Sequence, residues 1–424
     1  MCLCIKYAHI RLIVCATIIL LLRSPIVYAD PIEDANSYAV RIKSSISNSF
    51  FHDGGSGTSN GAGFLVDKER GWIITNAHVS GYGTANLEVS FKDEKYSTAQ
   101  VLYADNELDL AVIMVSKRKI PDKAIAAELE CSDLKLNGRE VAAFGHPVGL
   151  SYSASRGIIS QVRVYDRVDW IQTDAAINGG NSGGPLVDLE TGKVLGVNSM
   201  ALEDTEGLNF AVPAKPICKI LDIIKSGGTP LPPRLPLSFA ENEETEEYMI
   251  VAGNRYGELP DGIKIGDIVT EVNGTEVYSP TEIHTLLRGG EGKAAFTIRR
   301  GVNEIDVTVA FPFEDDYLST PYVLADGALI AEARYSEFRY NDGLFQIHSL
   351  EDGSYGSRAG LFTHAYIMAI NGKKPDTIKD IYEALSAGEE VKLILRSWSS
   401  RDQYLYDFYE VVYEPDEVEL INAM

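Results

Sequence analysis

The sequence predicts a mainly β protein: a region of β-barrels or sandwiches followed by a duplicated α+β module. Three observations carry this. Residues 36–212 hold many short β-branched or alternating runs, punctuated by Gly, Asn and Asp and without alternating helices. A Gly/Pro stretch, "GGTPLPPRLP" at 227–236, marks a linker. Beyond it, "IVTEVNGTEVYSPTEIHTLL" from Ile268 aligns with "YIMAINGKKPDTIKDIYEAL" from Tyr366, an offset of 98 positions.

The elements follow in order. Lys6 and Arg11 precede the apolar run "LIVCATIILLL" at 12–22, and Val27 and Ala29 take the small-residue places of a cleavage site, so 1–29 is expected to be an export signal. The run is short of the roughly 20 residues that span a bilayer, and Arg23 interrupts it, which leaves a retained anchor as the lesser reading. No later segment approaches that length, so no membrane span is expected after the signal. Strands are expected at "GFLV", "GWIITNAHV", "NLEVSF", "DLAVIMV", "EVAAFG", "KVLGVNSM" and "LNFAV". Ile217, Ile220, Leu221 and Ile224 recur at helical spacing in 214–226. In each later repeat a strand, an Asn-Gly turn (Asn273-Gly274, Asn371-Gly372) and an amphipathic helix succeed one another. "NGT" at Asn273 also fits a glycosylation acceptor, but the recurrence of Asn-Gly favours the turn.

With 424 residues, 45% hydrophobic and 23% charged, the chain can bury several cores, and its length suggests about three domains. The net charge of −23 repels phosphate backbones and anionic lipid, which argues against nucleic acid as a partner. Past residue 29 only Cys131 and Cys218 remain, enough for one bridge or two buried thiols and too few for a disulfide framework. Neither zinc-type spacing nor a P-loop occurs, so no metal and no cofactor are expected.

The chemistry concentrates in "INGGNSGGPLV", 177–187. Glycines surround one serine, Ser182, and a serine nucleophile needs a base that is itself oriented. His78 ends an apolar strand that can hold it, whereas His52 and His146 sit in a loop and a tight turn. Asp109 directly precedes "LAVIMV", the most apolar strand of the region. Asp105 and Glu107 read as solvated loop acids, and Asp174 as an orderer of the serine's own segment. Asp109 would then hold the imidazole tautomer, and the backbone N–H groups of Gly180 and Ser182 are spaced to meet an oxyanion. Gly183 and Gly184 are expected to let substrate backbone come close.

The order His78, Asp109, Ser182, within "TNAHV", "DLAV" and "INGGNSGGPLV", resembles the HtrA/Deg family of serine proteases over essentially the whole chain past the signal. That resemblance implies a chymotrypsin-like double six-stranded β-barrel at 30–230 and two PDZ domains, at 231–314 and 315–424. It implies His78 as base, Asp109 as its orienter and Ser182 as nucleophile. Gly179 stands where the family usually has proline. Asn181 replaces the aspartate that pairs with a new N-terminus in trypsin-like zymogens. Ala176, six before the nucleophile, would floor an uncharged P1 pocket beside Gly179 and Asn181. "GALI" (Gly327, Ala328, Leu329, Ile330) resembles the carboxylate-binding loop of the second PDZ groove. In the first, Pro236 in "RLPLSF" departs from the glycine-bearing pattern. The implied function is an ATP-independent endoprotease exported to the bacterial periplasm. Its partners would be unfolded polypeptides and hydrophobic C-terminal peptides. A homo-oligomer built on trimers is implied, with Tyr38, Phe50 and Phe51 either at its contacts or in the core. The alternatives are a stress-sensing protease with one substrate and a dormant PDZ chaperone.

Overall fold

The computed structural model describes residues 30–49, 57–81, 83–132, 134–146, 152–165, 168–201, 207–240, 249–254, 257–314, 316, 318–333, 344–398 and 406–422. The expected signal and Phe50, Phe51 and His52 lie outside the described residues.

Helix α1 (Pro31–Tyr38) leads into a closed barrel of β1 (Ala39–Ser49), β2 (Gly57–Asp67), β3 (Trp72–Thr75), β4 (Gly83–Phe91), β5 (Ser97–Asp105) and β6 (Leu110–Val115). The one-turn helix α2 (Ala77–Ser80) follows β3. A second closed barrel holds β7 (Glu140–Gly145), β8 (Ser153–Tyr165), β9 (Val168–Thr173), β10 (Pro185–Asp188), β11 (Val194–Ala201) and β12 (Asn209–Pro213). Around the first barrel the strands run β1-β2-β3-β6-β5-β4, and around the second β7-β8-β9-β12-β11-β10, which is the same path. Short, doubly buried runs such as "WIIT" and "LAVIMV" explain the closure, because neither barrel exposes a strand edge. Phe64, Ile73, Leu110 and Ile113 are fully buried in the first core. Ile159, Ile171 and Leu186 are fully buried in the second. Tyr38 is 3% exposed within the first core, so it packs inward rather than waiting as a surface contact.

Helix α3 (Ala214–Lys225) buries Ile217, Ile220 and Leu221 on one face, as their spacing predicts. A disulfide between Cys131 and Cys218 ties it to the segment between the barrels, which resolves the two readings of that pair toward a bridge. The expected free linker is in fact packed: Pro230, Pro232, Pro233 and Leu235 are buried. Two α+β units follow. The first has β13 (Ser238–Ala240), β14 (Ile250–Gly253), β15 (Ile268–Val272), β16 (Thr275–Glu276), helix α4 (Pro280–Leu287), β17 (Lys293–Arg300) and β18 (Asn303–Ala310). The second has β19 (Tyr322–Ala325), β20 (Ala328–Glu332), β21 (Phe345–Leu350), helix α5 (Tyr355–Ala359) and β22 (Tyr366–Ile370), then helix α6 (Ile378–Leu385), β23 (Val391–Trp398), β24 (Tyr406–Tyr413) and β25 (Val418–Ile421). Asn273-Gly274 and Asn371-Gly372 both take positive φ in tight turns.

The first unit docks on the barrels through α4. Arg288, 2% exposed, reaches Asp105 Oδ2 (2.5 Å), the Tyr103 hydroxyl (2.7 Å) and the Pro230 carbonyl (2.8 Å). Glu107 meets His284 Nδ1 at 2.8 Å. Asp105 and Glu107 are therefore interface acids, not solvated ones; their partners lie 183 and 177 residues away, out of reach of local pattern. Asp169 is half-buried at the same interface, accepting from Ser279 Oγ (2.6 Å) while its own N–H donates to Thr281 Oγ1 (2.7 Å).

This packing can be tested at the disulfide and at Asp169. The disulfide closes a loop with a sequence separation of 87, and chain entropy sets its contribution at about 4.6 kcal/mol. Cys131→Ser should lower the denaturant midpoint, and reductant should leave that variant unmoved while lowering the parent to match. Burial, ahead of the Glu282 charge, pushes the Asp169 carboxyl up to about 6. A carboxyl raised in the docked state binds its proton more tightly there, so docking weakens as pH rises from about 4 through 6 and is regained as pH falls back. Asp169→Asn should raise the melting temperature at pH 7.5 and flatten its dependence between about pH 4 and 6.

Candidate active site

The site forms where the two barrels meet. Strand β3 runs buried to Thr75, and α2 turns the chain so that His78, with a side chain 41% exposed, faces outward while Val79 stays inside. Asn76 is fully buried and its Nδ2 donates to the Asp109 carbonyl (2.8 Å), which locks the start of β6 to the start of α2. Asp109 takes φ 49°, a left-handed conformation that aspartate tolerates better than most residues. Its carboxylate meets His78 Nδ1 at 2.9 Å through Oδ1 and 2.8 Å through Oδ2, and Oδ1 also accepts the His78 backbone N–H at 3.1 Å. A carboxylate facing Nδ1 selects the tautomer that leaves a lone pair on Nε2.

Ser182 lies on the turn before β10. Its carbonyl accepts from Ala62 N (2.8 Å), so the turn is stitched to β2 of the other barrel. Gly183 sits at φ 84°, and a Cβ there would fall 2.2 Å from both the Ala62 carbonyl and Thr75 Oγ1. Gly183 therefore lets the barrels approach each other, rather than admitting substrate as the sequence suggests. Gly180 has φ 101°, and its carbonyl accepts from His146 N (2.9 Å). His146 itself is buried, its Nδ1 accepting from Tyr152 N (3.0 Å). Burial, ahead of the Arg41 charge, lowers its pKa to about 4, so the ring stays neutral beneath the turn.

No sequence motif marks Ser199, yet it joins the acid to the serine. Its hydroxyl donates to Asp109 Oδ2 (2.7 Å), and its carbonyl accepts from Ser182 Oγ (3.0 Å). Among the described residues Ser182 makes no hydrogen bond with His78; its hydroxyl is turned to Ser199 instead. Ala176 and Gly179 are exposed at the mouth of the turn, while Ala175 and Ile177 are buried beneath. Asn181 is 2% exposed and its Nδ2 donates to the Ala176 carbonyl (3.3 Å), which makes it a brace under the turn rather than a surface that meets substrate. Asp174 accepts from Ile158 N (2.6 Å) and pins β8, as expected of a loop orderer. Gly327, Ala328, Leu329 and Ile330 lie far along the chain in the second unit, where β20 is paired on both sides, with β19 and with β21. Among the described residues no group of three or more His, Cys, Asp or Glu could hold a metal, and no helix is long and apolar enough to cross a membrane.

Residues 61–197 match the family model of the trypsin-like peptidase domain. A Halomonas elongata protein named "Probable periplasmic serine endoprotease DegP-like" is 34% identical over 247 residues, 54% of this chain and 51% of that protein, so the match spans about half of that relative. A Brucella suis protein of the same name is 30% identical over 380 residues, 81% of this chain and 72% of that protein. The solved structure titled "HtrA-type protease AlgW with tripeptide" is 25% identical, with a TM-score of 0.53 over 68% of this chain and 97% of that one.

The Ser199 contact is open to a direct test. Removing a hydrogen bond to a charged group costs about 1.5–3 kcal/mol. Ser199→Ala should lower kcat roughly 10- to 100-fold with KM little changed, and should shift the acid limb of the pH–rate profile. An unaltered kcat would leave Ser199 a bystander.

Proposed function

The chain belongs to the DegP-like family of serine endoproteases, and from that premise we propose that it is an exported, ATP-independent serine endopeptidase that degrades unfolded or damaged polypeptides. His78 is the general base, Asp109 holds and stabilises its imidazolium, Ser182 is the nucleophile, and the N–H groups of Gly180 and Ser182 receive the oxyanion. The observation that carries this reading is the double contact from the Asp109 carboxylate to His78 Nδ1, at 2.8 and 2.9 Å. Ser182 Oγ must swing from the Ser199 carbonyl toward His78 Nε2 before it can lose its proton. His78 then returns that proton to the leaving amine, and water repeats the sequence on the acyl-enzyme.

The names of the relatives support a periplasmic location, and the order of domains in this reading is signal, protease and two PDZ modules that take extended peptides. Assembly into a homo-oligomer goes with the family. A second reading, a protease dormant until a ligand arrives, is favoured by one observation: the Ser182 hydroxyl rests on Ser199 rather than on His78.

Ala176, exposed and uncharged, offers no partner to a basic side chain, so a buried Lys or Arg at P1 would be desolvated without compensation. Casein should therefore be cut after Val, Ala, Ile or Leu, which mass-spectrometric mapping of fragments reads directly; predominantly basic P1 residues would refute the pocket assignment. Ser182→Ala should reduce kcat by about 10⁶ while the melting curve stays that of the parent, and retained caseinolysis would refute the nucleophile.

A further inference from the structure

The two repeats differ at one end of the sheet. In the first, among the described residues, β13 ends its sheet: the order is β13-β14-β15-β17-β18, and the helix α4 packs against α3 and β9. In the second, the strand in the same position, β20, does not end the sheet. Two more strands continue it, in the order β21-β20-β19-β25. A module that takes peptides by strand addition needs a free edge beside a helix. Here that edge is already taken.

What takes it has the form of a ligand. Strand β19 runs antiparallel to β20, pairing Tyr322 with Ala331, Val323 with Ile330, Leu324 with Leu329 and Ala325 with Ala328. Helix α6 packs against β19 and β25. Val323 and Ala325, two positions apart and both fully buried, share one core cluster with Ile381 and Leu385 of α6. Alternate side chains thus enter the slot while the backbone fills the ladder, as in a strand added from outside. On the far side β25 pairs with β19 through all four residues, so the borrowed strand is covered in turn.

The end of the slot is closed as well. Asp326 (φ 50°) and Gly327 (φ 88°) form a two-residue turn between β19 and β20, and a Cβ on Gly327 would lie 2.5 Å from Ser354 Cβ. The Asp326 carboxylate accepts from the N–H groups of Asp416 and Glu417. The carbonyl of Asp326 accepts from Gly356 N (3.0 Å), and that of Gly327 from Glu351 N (2.9 Å). The loop that "GALI" suggests as a cradle for a free carboxylate is therefore a hairpin turn, already joined to the strand in the slot.

We infer that the second repeat is autoinhibited: Tyr322–Ala325 is a tethered internal ligand that occupies its peptide slot, β25 covers it, and outside peptides enter only when β19 leaves. This rests on the reading of the repeats as peptide modules. The ligand class the slot accepts is an extended chain with small aliphatic residues at alternate positions, of the kind that Val323 and Ala325 supply.

The test uses the full-length chain carrying Ser182→Ala, so that no outcome depends on catalysis; casein hydrolysis by the parent is measured separately and reports on the protease reading alone. The probe is the free-acid hexapeptide Thr-Pro-Tyr-Val-Leu-Ala, matching residues 320–325. Val323→Lys with Ala325→Lys places two ammonium groups where the slot is fully buried and should expel β19. Hydrogen exchange is expected to show β20 losing protection in that variant while β21 and β22 keep theirs, and the peptide restoring it. Peptide affinity should exceed that of the parent chain by about 100-fold or more, because the parent's slot is open only for a small fraction of the time. Tight binding at β20 in the parent, or a folded double variant that ignores the peptide, would overturn the proposal. If the double variant fails to fold, exchange on the parent decides: β19 and β20 should be as protected as β21, with no change on adding peptide. Coil-like exchange in β19 would overturn it.

Discussion

Everything at the site depends on how closely two closed barrels can be brought together. The contact is made at Gly183, where even a methyl group would strike the Ala62 carbonyl and Thr75 Oγ1. The Ala62 N–H to Ser182 carbonyl hydrogen bond then fixes the register of one barrel against the other. Each barrel supplies what the other lacks: β3, α2 and β6 bring His78 and Asp109, and the turn before β10 brings Ser182. Neither half could be moved by the width of a methyl group without separating the serine from the pair it faces. Two rigid, edge-free barrels are suited to this, because packed interiors do not deform to absorb such a gap.

The elements legible in the sequence share a property: their cause is local. "LAVIMV" and "WIIT" are strands because every residue is apolar or buried, and Asn-Gly makes the same turn in both repeats. His78, Asp109 and Ser182 stand out because each borders a strong local pattern. The residues that mislead share the opposite property. Asp105 looks like a loop acid until Arg288 arrives from 183 residues away and buries it. Ser199 sits inside a strand with nothing to mark it. Asn181 and Gly183 read as facing substrate, though packing turns them inward. The "GALI" loop has the right position, but only the whole sheet reveals that β19 and β25 lie beyond it.

The turn between β5 and β6 has two masters. At one end Asp105 holds the buried guanidinium of Arg288 from the first repeat; four residues on, Asp109 holds His78. A charge pair with side chains 1% and 0% exposed is costly to break by removing one partner, since the other is left buried and unpaired. The first repeat is thus bonded into the same short turn that positions the imidazole. Glu107, between them, adds its contact to His284. The packed prolines of the connecting segment remove the slack that a free linker would have allowed.

If β19 is the internal ligand proposed above, it never diffuses away, because only two residues separate it from β20. A segment so tethered meets its slot at an effective concentration set by the tether, of millimolar order for short linkers and set here by a turn of only Asp326 and Gly327. An outside peptide with the same contacts, present at micromolar levels, competes at a disadvantage of roughly a thousandfold on that ground alone. On the proposed reading, the second repeat would discriminate by abundance as much as by sequence. A few stray chain ends leave it untouched, and only a dense population of exposed strands could outnumber the one it carries.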